Sequence, residues 1–174
     1  TAIAFVLQGV YFGHDPWLLY SRLLFTALLV ALFGTDLETQ RLPNVLTYSG
    51  IVAGLVSSFF LPPYIVDSLL GAALGAAVLM LIRWIWRAWK RVDAMGLGDV
   101  KMLAMIGAFL GWRQVGVVLF LASVAGAIIG VSLAATRGRT MQSKLPFGTF
   151  FALAAFAASI VGERLLNWYL QLYA

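Results

Sequence analysis

Asp99 stands behind two glycines in Met95-Gly96-Leu97-Gly98-Asp99-Val100-Lys101, at the start of an apolar run, in a chain with only seven acidic residues. A carboxylate at a membrane edge is costly to keep unless something uses it. It could cap a helix, its oxygens bonding the first free amides. It could instead be half of a reactive pair. Two nearby carboxylates cannot both ionise cheaply, so one holds a proton while the other is charged. Such a pair activates water: the anion takes a proton from it and the neutral acid donates to the carbonyl under attack. The titration then belongs to the pair rather than to either residue. Gly96 and Gly98 would let the backbone bend and a substrate strand come close. Leu97 and Val100 would wall the site against water, and a peptide cut there must be extended.

Little else in the chain offers chemistry. Cysteine is absent and His14 is the single histidine, which excludes a thiol nucleophile, disulfides and cysteine-ligated zinc. No metal site is expected. The partner for Asp99 must be an acid, and the dense polar segment Asp36-Leu37-Glu38-Thr39-Gln40-Arg41-Leu42-Pro43-Asn44 contains two. Asp93 reads as a solvated loop charge, although it could help to hold a basic peptide.

The elements that must position these acids lie in a membrane. The 174 residues are 62% hydrophobic and 11% charged, with a mean hydropathy of +0.94. A soluble domain carries about 25% charged residues. We expect an all-α, polytopic membrane bundle of six transmembrane helices plus a partial N-terminal helix, forming one membrane-embedded domain over residues 1–174. The net charge of +5 is no nucleic-acid signal, because Lys and Arg gather at the cytoplasmic membrane face. The chain starts at Thr1 inside an apolar run, so it reads as the C-terminal part of a longer parent or as a short family member.

Thr1 to Gly13 is too short to cross alone. Pro16 suits the first position of the next helix. The expected spans are Trp17 to Thr35, with Arg22 snorkelling to the interface, Val45 to Leu61, Tyr64 to Ile82, Met102 to Trp112, Gln114 to Thr136, and Leu145 onward through Glu163 and Arg164. Gly71, Gly75 and Ala76 would admit a close neighbouring helix. Trp84, Trp86 and Trp89 among basic residues read as an interfacial belt. If the Asp36 loop is cytoplasmic, that face holds Arg41, Arg83, Arg87, Lys90, Arg91, Lys101, Arg137, Arg139 and Lys144, nine of the twelve basic residues. Asp36 then ends one helix, and Asp99 starts another, at one membrane depth. Glu38, offset by two residues, reads as exposed.

These residues resemble the prepilin peptidases, membrane aspartic proteases of the GxGD type. Gly96-Leu97-Gly98-Asp99-Val100-Lys101 is similar to the second catalytic motif of that family. Asp36, seven positions before Pro43 in a polar turn, is similar to the first. Leu145-Pro146-Phe147-Gly148 resembles a proline-phenylalanine-glycine element at the last helix. The resemblance implies that Asp36 and Asp99 are the catalytic pair, with Gly96, Gly98 and Lys101 positioning substrate. It implies cleavage of type IV prepilins or pseudopilins after a glycine, between basic leader and apolar helix, in support of pilus assembly or type II secretion. It places the protein in a bacterial inner membrane, in contact with lipid, with its site facing the cytoplasm. Proteolysis would need no cofactor. S-adenosylmethionine enters only if the parent protein also N-methylates the new terminus, an activity that many members combine with a four-cysteine loop this sequence lacks.

Three rivals remain at this point. A transporter could bind cations with the paired acids, although such sites usually sit near mid-membrane. A structural subunit would tolerate loss of both acids. A protease of the signal-peptide-peptidase type shares the Gly-x-Gly-Asp core, but there the first acid is expected deeper in its helix.

Overall fold

A computed structural model of the chain describes residues 1–90, 96–137 and 147–171. Every described element is helical: α1 (Ala2–Phe12), α2 (Pro16–Thr39), α3 (Asn44–Ser57), α4 (Ile65–Lys90), α5 (Leu97–Leu110), α6 (Trp112–Arg137) and α7 (Phe147–Gln171). Arg91, Asp93, Met95, the loop bearing Arg139 and Lys144, and Leu145-Pro146 lie outside the described residues.

The expectation of six spans plus a partial helix needs correcting. Among the described residues, only α2, α4, α6 and α7 are long and apolar enough to cross a membrane. Both α3 and α5 have 14 residues, about 21 Å at 1.5 Å per residue, against a hydrocarbon core of about 30 Å. The apolar run that suggested a longer α3 continues through Phe59, Phe60 and Leu61, but these residues form turns. Glu163 and Arg164 do not interrupt the last helix; α7 runs through them.

Local chemistry sets the ends of α2. Asp15 caps its start, accepting from the amides of Trp17 (3.1 Å) and Leu18 (3.3 Å), with Pro16 following at the first helical position. Its other end is closed by Gln40 in the left-handed conformation (φ 52°), whose amide bonds the Asp36 carbonyl at 3.0 Å. A left-handed cap is commonly glycine. Here a glutamine takes the role one turn beyond the acid.

At the centre of the bundle, α5 is buried on every side from Met102 to Leu110, as expected of a helix that is apolar all round. It meets α4 through glycines. A Cβ on Gly75 would come 2.6 Å from the Leu103 carbonyl oxygen, and one on Gly71 would strike the Gly107 carbonyl. Gly107 faces the Gly71 carbonyl in return. These obstructions are backbone and cannot swing away. We therefore expect Gly107→Val to destabilise the protein by about 1–3 kcal/mol or more. Thermal unfolding in detergent, read beside Gly116→Ala where the added methyl meets open space, measures this.

Polar side chains pin the end of the bundle remote from Asp99. Arg22 does not snorkel outward. It is 8% exposed, and its Nη1 donates to the Phe109 carbonyl at 3.2 Å, near the C-terminus of α5. The Phe25 and Phe109 rings stack beside it, 4.9 Å between centroids. Gln8 donates to Ser159 at 3.0 Å and Trp112 Nε1 to Asp67 at 3.0 Å.

Candidate active site

The last two turns of α2 carry Asp36 into the bundle, where it is 4% exposed. Its Oδ2 accepts two hydrogen bonds, from the Thr149 amide at 2.8 Å and the Thr149 hydroxyl at 3.1 Å. Thr149 is the third residue of α7, so its amide is one of those a helix start leaves without an intrahelical partner. The positive end of the helix dipole also favours an anion there. Gly148 makes the approach possible: a Cβ at that position would lie 2.8 Å from Asp36 Oδ2 and 2.9 Å from Cγ.

Asp99 is the third residue of α5, in its first turn and outside the four candidate spans. The Gly96 amide hydrogen-bonds its carboxylate. This is the reach-back of a third-position acid to the cap residue of its own helix. The capping amide does not settle its protonation, however. Burial, and then the charge of Asp36, push the Asp99 carboxyl up to about 6. The two acids thus act on each other in space. Replacing Asp36 by Asn removes one of these two causes, so the Asp99 midpoint should fall below about 6 while staying above the ordinary carboxylate value, because burial remains. Infrared titration of the protonated carboxyl band reads this; an unmoved midpoint would show that the Asp36 charge does not reach Asp99.

The two glycines differ in their surroundings. Gly96 has φ −71° and ψ 149°, a conformation open to any residue. Gly98 is needed because its missing side chain admits Leu42, whose Cβ would lie 3.0 Å from an added Cβ. That contact sets the start of α5 against the turn between α2 and α3. Lys101 points to α3. Its Nζ donates to Asn44 Oδ1 at 2.8 Å and sits 4.7 Å from the centre of the Tyr48 ring. Glu38 is exposed.

At the turn between α2 and α3, an open groove of about 680 Å³ is lined by Thr35, Thr39, Arg41, Leu42, Pro43 and Asn44. Its Leu42 is the residue that packs on Gly98, one position before Asp99. Sequence reasoning missed Thr149, Asn44 and Tyr48 as supporting residues. The signal for Thr149 is present in the sequence, since Phe147-Gly148 marks the last helix and the amides following a helix start seek acceptors.

Comparison with known proteins agrees with this arrangement. The chain matches the type IV leader peptidase family over residues 23–131, an interval that holds both Asp36 and Asp99. It is 36% identical over 157 residues to a prepilin leader peptidase/N-methyltransferase of Aeromonas salmonicida, covering 89% of this chain and 54% of that protein. It is 34% identical over 172 residues to the protein of that name from Pseudomonas aeruginosa, covering 98% of this chain and 59% of the relative. For the Legionella pneumophila protein the identity is 32% over 174 residues, with 98% and 59% covered. The chain therefore spans little more than half the length of these relatives. No solved structure matches it. Two acids acting on each other at the ends of α2 and α5, inside the matched interval, fit the conclusion that this chain belongs to the type IV leader peptidase family.

Proposed function

We propose that the protein is an aspartic endopeptidase that removes the basic leader of type IV prepilins or pseudopilins, cutting after a glycine at the cytoplasmic face of a bacterial inner membrane. The observation that carries this reading is the electrostatic coupling of Asp36 and Asp99, with an open groove at the α2–α3 turn. One carboxylate removes a proton from water while the other, protonated, donates to the scissile carbonyl. The rest of the peptide bond chemistry needs only an extended substrate, which the groove along Thr35, Thr39 and the Pro43 turn can receive. Gly98 and Lys101 act at one remove: they hold the start of α5 against the α2–α3 turn and α3, and so set where Asp99 stands, while Gly96 caps that helix beside the Asp99 carboxylate. The positive-inside pattern supports the cytoplasmic orientation. Pilus assembly or type II secretion is the process such cleavage serves.

The relatives' printed name includes an N-methyltransferase, which implies a methyl donor. The described groove presents Arg41 and no carboxylate to a sulfonium cation. These residues do not fit S-adenosylmethionine, and no methyl-transfer step is derived for them.

Incubating purified protein with a synthetic prepilin and sequencing the new N-terminus tests the reading; an intact substrate would overturn it. The sign of the pH dependence follows from Asp99. Below about 6 it holds its proton, and as pH rises through that value the acid is lost, so cleavage falls on the alkaline side. Bound peptide deepens the burial that already raises Asp99. The alkaline limb of kcat should therefore lie at higher pH than that of kcat/KM, and steady-state profiles compare the two.

A further inference from the structure

We propose that Thr149 positions Asp36 as the ionised member of the pair, leaving its Oδ1 to activate water and Asp99 to carry the proton. The assignment rests on the peptidase reading and adds the division of labour within it. The geometry is asymmetric. Asp36 Oδ2 receives both an amide and a hydroxyl from one residue, at 2.8 and 3.1 Å, in a site 4% exposed. An amide can only donate, so this oxygen is held as an acceptor, and hydrogen bonds of that kind favour the charged form. Gly148 lets the start of α7 come close enough to the carboxylate for one residue to make both bonds to Oδ2. Only Oδ1 is left to face a reacting water. Asp99, by contrast, is raised by burial and by the Asp36 charge, which agrees with its holding the proton.

The step balances with water as the only co-reactant. The water oxygen bonds to the peptide carbon as Asp36 Oδ1 takes one of its protons, and Asp99 gives its proton to the carbonyl oxygen. The carbon–nitrogen bond then breaks. The leaving nitrogen takes the proton held on Asp36, one hydroxyl of the diol returns a proton to Asp99, and the products are a carboxylic acid and an amine. Thr149 touches neither water nor peptide; it acts through Asp36.

Thr149→Val keeps the amide and the volume and removes the hydroxyl, while Thr149→Ser restores it. Losing a hydrogen bond to a charged group should lower kcat about tenfold, with KM within about twofold. Thr149→Ser should recover kcat. Thr149→Ala is carried alongside, so that a steric failure of valine leaves the comparison intact, and thermal unfolding of each variant identifies the folded ones. A Val or Ala kcat equal to that of wild type, or a Ser variant as impaired as Val, overturns the proposal. A second readout needs no cleavage. Between the ordinary carboxylate range and about pH 6, one protonated buried carboxyl should be visible in the infrared. Asp99→Asn should abolish that band and Asp36→Asn should retain it at a lower midpoint; the reverse pattern overturns the assignment. If wild type does not cleave prepilin, the peptidase reading fails. If wild type cleaves and only the Thr149 or infrared results disagree, this inference alone fails.

Discussion

Asp36→Asn and Asp99→Asn should each lower prepilin cleavage by roughly 10³-fold or more while leaving the protein folded. The size follows from the task. A positioned acid or base contributes about 10²–10⁴-fold, and members of one catalytic unit fail together rather than additively. Folding should survive because each amide keeps the neighbourly bond of the acid it replaces. In Asp36→Asn the side-chain carbonyl oxygen could still accept from the Thr149 amide and hydroxyl. In Asp99→Asn it could still accept from the Gly96 amide. Cleavage rates with a synthetic prepilin, beside thermal unfolding in detergent, separate chemistry from stability. Retained cleavage in either variant removes the two-acid mechanism. A transporter would instead show ion flux in liposomes with no cleavage. Both acids standing at helix ends argues against it, since α2 holds Asp36 in its final turns and α5 holds Asp99 in its first.

Gly148→Ala should reduce turnover about a hundredfold, a large effect for one methyl group on a residue that touches no peptide. The added carbon would lie 2.8 Å from Asp36 Oδ2 and 2.9 Å from Cγ, closer than a methyl group and a carboxylate can approach. Either α7 retreats or the carboxylate swings, and both lengthen the Thr149 bonds that hold Oδ2. A misplacement of about 1 Å in a reacting group costs on the order of 10²-fold. The loss should fall on kcat more than on KM, because the groove is formed by the α2–α3 turn and not by α7. Gly116→Ala, with nothing near its added methyl, is the control. Equal activity in the two alanine variants would show that the approach of α7 to Asp36 has no catalytic consequence.

The parts of this protein that were legible in its sequence are those set by composition and charge placement. Helices in a membrane followed from hydropathy. Pro16 marked the start of α2, and Gly71 and Gly75 marked the face that meets α5. Hydropathy measures preference for an apolar medium, though, and not the length of a continuous hydrogen-bonded helix. Phe59 and Phe60 are as apolar as any span, yet α3 has ended before them. The end of α5 is fixed by Gly111, which has φ 79° and an amide bonded to the Gly107 carbonyl. No change of polarity announces it. Arg22 reads as an interfacial cation until the Phe109 carbonyl is seen beside it. The partners of Thr149 and Lys101 were hidden for a related reason: Asp36 and Asn44 lie on helices distant in sequence. Side-chain type could be read, but not the acceptor waiting across the bundle.

The bond from Arg22 to Phe109 has a mechanical consequence for the acids. It fastens α2 to the far end of α5, ten residues from Asp99, a distance of about 15 Å along the helix. Axial sliding of α5 by a single residue, about 1.5 Å, would strip that buried guanidinium of its carbonyl and part the Phe25 and Phe109 rings. The other end of the same helix is fastened too, where Lys101 bonds Asn44 and Gly98 packs on Leu42, so Asp99 stands on a helix tied at both ends. The position of one acid is therefore anchored in part at the end of the bundle where no chemistry takes place.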